Sequence, residues 1–167
     1  MIFQTNRLIV RRLALEDADS LSEIFSDPQV MHFSVRGVLD KNGIEQHIDE
    51  NVQEYGKSHF CRWAIIERLS SKLIGVCGLS KDTVDLSDIV HLNYRFSKNN
   101  WGRGFATEVV SALVEHSASI GLNRIHALIE PANLASVRVV EKAGFKVQGA
   151  IIYKGAHAHV FSRCTKA

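Results

Sequence analysis

Proline is almost missing: Pro28 and Pro131 are the only two in 167 residues, and the eleven glycines are scattered. No Pro-rich or Gly-rich linker is therefore expected to divide the chain. The expectation is a single domain over 1–167, and at 46 % hydrophobic residues it can bury one sizeable core. Cysteine is scarce and odd in number (Cys61, Cys77, Cys164), which argues against a disulfide framework and fits a reducing, cytoplasmic setting. No apolar run approaches about 18 residues, and the opening Met-Ile-Phe-Gln-Thr-Asn-Arg lacks a basic start followed by an apolar segment. Neither a membrane span nor a secretory leader is expected. Runs of lysine or arginine are lacking and the formal charge is only +2, so nucleic acid is not an expected partner. Gly-Lys-Ser and Gly-Lys-Thr are lacking too, which removes a P-loop.

The most informative segment is 99–108, Asn-Asn-Trp-Gly-Arg-Gly-Phe-Ala-Thr-Glu. Before it, 89–96 is β-branched and aromatic with rough alternation, the pattern of a half-buried strand. After it, Phe105, Val109, Val110, Leu113, Val114 and Ile120 recur at helical spacing, and Gly121 stands where a left-handed residue closes a helix. Gly102 and Gly104 thus fall at a helix start. Without a Cβ they let backbone N–H groups approach an anion where the helix dipole favours one. A pyrophosphate suits such a cradle. Two other readings stand beside it. One is a dinucleotide site on Gly102, Gly104 and Thr107 with Glu130 as the ribose acid, poorer because Thr107 replaces a third glycine and 97–101 intervene after the strand. The other is a glycine turn without a ligand.

A second segment, Asn133-Leu-Ala-Ser136-Val-Arg-Val-Val-Glu-Lys142-Ala-Gly144-Phe145, opens on a polar cap and ends in Gly-Phe, a short helix feeding a strand. Together the two segments resemble the GNAT acetyltransferase superfamily, whose pyrophosphate loop reads Gln/Arg-x-x-Gly-x-Gly/Ala and whose later helix opens Asn-x-x-Ala/Ser before Gly-Phe. Asn99 departs from the usual Gln/Arg. Thr5-Asn-Arg-Leu-Ile-Val-Arg-Arg-Leu13, Glu16-Asp-Ala18, Ser26-Asp-Pro-Gln-Val-Met31 and Trp101-Gly-Arg-Gly-Phe-Ala-Thr-Glu108 are similar to one branch of it, the ribosomal-protein N-terminal alanine or serine acetyltransferase-like proteins.

The resemblance implies an α/β (α+β) fold, a mixed and mostly antiparallel central sheet flanked by helices and splayed beside the glycine loop. It implies acetyl-CoA as co-substrate, held by backbone amides of Phe96, Arg103, Gly104, Phe105, Ala106 and Thr107, with Gly102 making the turn and the Thr107 hydroxyl an added donor. Arg103 is expected to pair with a phosphate or stand solvated; Trp101 to pack beneath the loop rather than cover the adenine. Glu108 suits a first helical turn and is not expected to be catalytic. Asn133 is expected to cap its helix and contact the pantetheine. Many members of the superfamily protonate the departing thiolate with a tyrosine four residues before the Gly of Gly-Phe. That position is Val140, and Ser136 is the stand-in the branch implies.

For the base, His91 is the candidate, since its ordinary pKa near 6.5 lets it take a proton at neutral pH; loss of the amine proton through water stands beside it. Cys61 and Cys77 show no adjacent base and are discarded as acyl carriers. His157, His159 and Cys164 lack a full ligand set, so no metal is expected. Tyr153 and Arg36 are placed in the acceptor groove or on the surface, Phe33 and Trp63 in the core. The expected acceptor is a peptide or protein N-terminal amine, with a small amine second and a non-catalytic acyl-CoA sensor third; a homodimer is the default assembly. Coarse reading gives strands at 8–13, 60–67, 73–79, 89–96, 124–130, 146–153 and 158–164, and helices at 16–25, 42–55, 105–120 and 136–143.

Overall fold

Alternation along the strands sorts apolar side chains to two faces, and helices cover both. The computed structural model describes residues 1–166. Strands β1 (Phe3–Gln4) and β2 (Leu8–Arg12) precede helices α1 (Ala18–Phe25) and α2 (Lys41–Glu54). Then come β3 (Arg62–Glu67), β4 (Leu73–Val84), β5 (Ser87–Phe96), α3 (Phe105–Ser119), β6 (Arg124–Ile129), α4 (Leu134–Lys142), β7 (Lys146–Tyr153) and β8 (Ala156–Cys164). They form one open mixed sheet in the order β1-β2-β3-β4-β5-β6-β8-β7. Trp63 and Ile65 of β3 point to one face, where Leu8, Val10, Leu79 and Leu92 meet Val109, Val110 and Leu113 of α3 and Val140 of α4. Ala64, between them, points to the other face, where Val76 and Leu13 meet Leu21, Ile24 and Phe25 of α1 and Ile44 and Ile48 of α2. Each large aliphatic buried this way contributes roughly 1.5–3 kcal/mol.

Every neighbouring pair is antiparallel except β5 and β6, which run parallel and are in register only at His91↔His126. Beyond that point the two strands part. The sheet is continuous at the His91 end and open at the Phe96 end, where the α3 loop begins.

The β4–β5 ribbon is longer than the sequence reading. Pairing continues through Ser80↔His91, Asp82↔Ile89 and Val84↔Ser87, so β4 ends at Val84 rather than at 79. Its two-residue turn is Asp85–Leu86, both at positive φ (47° and 67°), the geometry two-residue hairpins favour. Without Asn-Gly or Asp-Gly there, and with polar residues at 80–83, the hairpin tip reads as a loop. Strand β1 was missed because two residues carry no period. Helices α1 and α4 shift by two residues at their starts, since capping by 3-10 turns and Asn133 was not resolved by spacing.

Candidate active site

Two left-handed glycines shape the β5–α3 loop. After a 3-10 turn at Lys98–Asn100, Gly102 has φ +73° and Gly104 has φ +80°; there an L-side chain costs about 1–2 kcal/mol. Gly104 is the residue before α3, and the helical ladder begins with Glu108 N–H donating to the Gly104 carbonyl at 3.2 Å. The N–H groups of Phe105, Ala106 and Thr107 precede that ladder and are free for an anion. The rings of Phe96 and Phe105 are buried and stacked at 6.1 Å, so these residues reach a ligand only through backbone.

The loop is braced from the chain's start. Glu108, in the first turn of α3, accepts from the Thr5 hydroxyl (2.6 Å), the Arg7 backbone N–H (2.9 Å) and the Arg7 guanidinium (2.7 Å). Burial alone would raise the Glu108 carboxyl, but these bonds hold it below its ordinary value. Glu108 is thus a structural anchor. Arg7 also donates to the Arg103 carbonyl at 2.9 Å and lies 4.4 Å from the Phe105 ring centre.

Two sequence expectations for this loop are corrected. The Arg103 side chain does not line the groove: its guanidinium donates to Glu67 at 2.6 Å and to Asn100 at 2.9 Å, over the Phe105 ring. A carboxylate already in place outcompetes solvent. Trp101 is not packed beneath the loop but 49 % exposed, tethered by its indole N–H to the Phe96 carbonyl at 2.9 Å and facing the groove.

The groove at the open end of the sheet has a volume of about 920 Å³, with Gly102, Gly104 and Phe105–Thr107 on one wall and Asn133 and Ser136 of the α4 start on the other. A second cavity of about 250 Å³ includes His91, Arg62, Arg95 and Tyr153 in its lining. The two share Phe33, Tyr94, Arg95, Asn133 and Ser136. Phe33 is accordingly half-buried at the junction rather than in the core, whereas Trp63 is buried as expected. Asn133 caps α4, its side-chain oxygen accepting from Ser136 N–H at 3.3 Å. Ser136 Oγ has no partner among the described residues, while Val140 is fully buried in the core. Beside Ser136 stands Tyr94, its hydroxyl 3.5 Å from the Ser136 carbonyl, its pKa pushed up to about 12 by burial and so neutral.

In the smaller cavity His91 Nε2 meets Asp82 Oδ2 at 2.7 Å, and the Tyr153 hydroxyl donates to the same oxygen at 2.8 Å. With Asp82 accepting, Nε2 carries the proton and Nδ1 keeps its lone pair. Burial lowers the His91 pKa below its ordinary value, against the opposing pull of Asp82. A neutral, oriented imidazole at pH 7 is what a general base requires. Sequence alone does not single out Asp82, because the polar run 80–83 hides the continuation of its strand beyond 79.

Residues 7–146 match the family described as the acetyltransferase (GNAT) domain. The chain is a GNAT acetyltransferase. As a member it is an acetyl-CoA-dependent N-acetyltransferase, and its open mixed sheet flanked by four helices is the GNAT fold. A relative described as an uncharacterised N-acetyltransferase, p20 of Bacillus licheniformis, is 32 % identical over 150 residues, 87 % of this chain and 82 % of that one. The crystal structure of a GNAT-family acetyltransferase from Bacillus anthracis superposes with a TM-score of 0.84 at 21 % identity, covering 97 % of each chain. RimL, a ribosomal L7/L12 α-N-protein acetyltransferase in complex with coenzyme A, superposes at 0.78 with 16 % identity over 98 % of this chain and 97 % of that chain. Others of the same fold are named for an aminoglycoside and for spermidine, so the fold leaves the acceptor open.

Of the residues singled out from the sequence of this GNAT chain, the structure gathers Gly102, Gly104, Phe105, Ala106, Thr107, Asn133 and Ser136 around one groove and His91 beside it. Arg36 and Tyr153 line the smaller cavity. Cys61 and Cys77 are buried away from both, and burial raises both thiols above their ordinary value. His157 is exposed on β8 and His159 half-buried. No helix among the described residues is long and apolar enough to cross a membrane.

Proposed function

We propose that residues 1–167 form one acetyltransferase domain in which acetyl-CoA occupies the larger groove and the acceptor amine enters from the smaller cavity. The observation that carries this is the meeting of the two spaces at Ser136 and Asn133, with a helix N-terminus at one end and an Asp-held histidine at the other. The pyrophosphate lies on the amides of Phe105, Ala106 and Thr107, with Gly102, Arg103 and Gly104 supplying the turn. The pantetheine runs through the opening between β5 and β6 past Asn133. A groove of about 920 Å³ suits so extended a ligand.

The acceptor, entering as its ammonium form, gives one proton to His91 Nδ1; the neutral nitrogen then attacks the thioester carbonyl and loses its second proton to solvent as the amide forms. The C–N bond forms, the C–S bond breaks, and the thiolate takes a proton from the Ser136 hydroxyl, which is replenished from solvent. No covalent enzyme intermediate is involved. The acceptor favoured by the likeness of 5–31 and 101–108 to the ribosomal-protein branch is a peptide N-terminal amine; the modest size of the smaller cavity favours a small amine as the second reading.

The experiment is free-thiol release from acetyl-CoA by the purified protein, with N-terminal peptides run beside polyamines, amino sugars and amino acids. Acceptor-dependent release establishes transfer and selects the class. If acetyl-CoA binds but no acceptor of the panel releases thiol, the acceptor lies outside the panel or the protein is a non-catalytic acyl-CoA sensor.

A further inference from the structure

The smaller cavity holds more positive charge than its neighbours balance. Arg62 sits in the sheet face, donating to the Leu79 carbonyl at 3.2 Å and Ser80 Oγ at 2.8 Å. Burial, and then the nearby Arg95, push its pKa down to about 10. Arg95, two residues beyond Asn93 on the same strand face, is also lowered by burial. Among the described residues Arg95 has no side-chain hydrogen bond, and neither arginine has a carboxylate within salt-bridge distance. Arg36 and Lys154 face the same space. Two carboxylates oppose them: Glu130 at the cavity edge, and Asp82, already committed to His91 and Tyr153. Behind the cluster, His47 is buried with Nδ1 3.3 Å from Arg36 and Nε2 without a partner among the described residues. Burial first, then Arg62 and Arg36, with Arg95 behind them and Glu50 pulling the other way, hold its pKa down at about 4, so it adds no charge to the cluster.

Half-buried guanidinium groups without counter-charges are costly to a free protein. They are the donors of choice for a carboxylate, which they bind in bidentate fashion. A polyamine or aminoglycoside brings further cations into the same space and is repelled.

Resting on the assignment of this cavity to the acceptor, we infer that the acceptor is a primary amine carrying a carboxylate a few bonds from its nitrogen, held by Arg95 and Arg62 while the amine faces His91. The volume of about 250 Å³ lies below the roughly 300–1,000 Å³ of sites for drug-sized ligands, and fits one amino-acid unit. That unit is either a free amino acid or the acidic first residue of a peptide; the chemistry recognised is the same.

Matched acceptors differing only in charge test this. β-Alanine is compared with β-alaninamide, an Asp-initial peptide with its Asn-initial counterpart, and spermidine is run alongside. The expected result is at least a tenfold higher kcat/KM for the acid member of whichever pair is used, with spermidine poor. Arg95→Gln should abolish that preference by raising KM for the acid member at least tenfold more than it changes KM for the amide member or for acetyl-CoA. Arg95 is the first choice because it makes no bond whose loss would unfold the sheet; Arg62→Lys is the second variant. Equal use of the amides, preference for spermidine, or an Arg95→Gln effect confined to acetyl-CoA KM overturns the inference. A turnover-free measurement separates it from the transferase reading: thermal protection by N-acetyl-β-alanine against N-acetyl-β-alaninamide, with coenzyme A present. Carboxylate-specific protection that Arg95→Gln removes supports the inference even if no acceptor is turned over. Equal protection by both, or none by either, sinks it.

Discussion

His91 owes its direction to Asp82 and its low pKa to burial, and the two effects have opposite signs. The acidic limb of kcat/KM is therefore expected below pH 6.5, because a base whose pKa is depressed stays neutral to lower pH. Asp82→Asn removes the group that raises the His91 pKa and should move this limb to still lower pH while reducing the plateau by about 10²-fold, the low end of what a positioned base contributes. A pH–rate profile that does not move on that substitution excludes His91 as the base. Ser136→Ala should lower kcat about tenfold or more with little change in acetyl-CoA KM. If Ser136→Ala is silent and Tyr94→Phe is not, the thiolate takes its proton from the phenol. At this scale the sequence singles out His91 and Ser136 as candidates, each by a motif or by its place before a motif. It does not single out Asp82, Arg62, Arg95 or Tyr94, whose places beside the cavities arise from cross-strand registers such as Ser80↔His91 and from the splay beyond His91.

At the scale of elements, the loop into α3 is the part most constrained by backbone. A valine at 104 would have to hold φ near +80°, a conformation that costs a β-branched residue about 1–3 kcal/mol, and its Cβ would lie 3.4 Å from Arg7 Nη2. Gly104→Val is expected to weaken acetyl-CoA binding at least tenfold while far-UV circular dichroism stays that of the parent; titration of acetyl-CoA by calorimetry decides it, and unchanged affinity would remove the pyrophosphate from this loop. This loop was the most legible element in the chain, since two glycines, a strand before and a periodic helix after are all local signals. The β4–β5 ribbon was the least. Its tip turns on Asp85 and Leu86, where aspartate tolerates positive φ but leucine ordinarily avoids it, and it is held by ten paired positions rather than by turn chemistry.

For the whole molecule, several shifted groups link stability to pH, Asp17 and Glu108 among them. Burial opposes ionisation of both Asp17 and Glu108. Asp17 is held below its ordinary value by Arg11 at 2.8 Å and the Ala14 N–H, Glu108 by Thr5 and Arg7. Groups with depressed folded pKa values stabilise fully above their unfolded values, here 3.8 and 4.5. That stabilisation is lost as pH falls through the lower folded values. Tm is expected to start falling below about pH 6.5, where His47 and His91, held neutral by burial in the fold, take up protons only in the unfolded chain; the further fall below pH 4.5 should be less steep in Glu108→Gln, and a Glu108→Gln curve that parallels the parent would show that this carboxylate carries no acid sensitivity. Acetyl-CoA at 100 times its Kd should add about 2.7 kcal/mol by mass action, raising Tm by roughly 5–10 °C for a chain of this size. The two-sided layering was predictable from alternating burial, but the strand order was not: putting β6 between β5 and β8 depends on contacts between residues far apart in the chain.

The bond from Arg7 to Glu108 spans 101 positions, and it gives the folding of this protein an order. A contact across so long a loop closes slowly and is entropically expensive until the sheet between its ends is in place. The anion cradle is therefore completed by the segment made first and the helix made later, meeting only after β2, β3 and β4 have paired. Trimming the first seven residues would leave α3 and its glycines intact in sequence yet take away the hydrogen bonds that Thr5 and Arg7 give Glu108. Such a chain should retain its helices and lose affinity for acetyl-CoA, the grip on the co-substrate being the last thing the polypeptide learns to do.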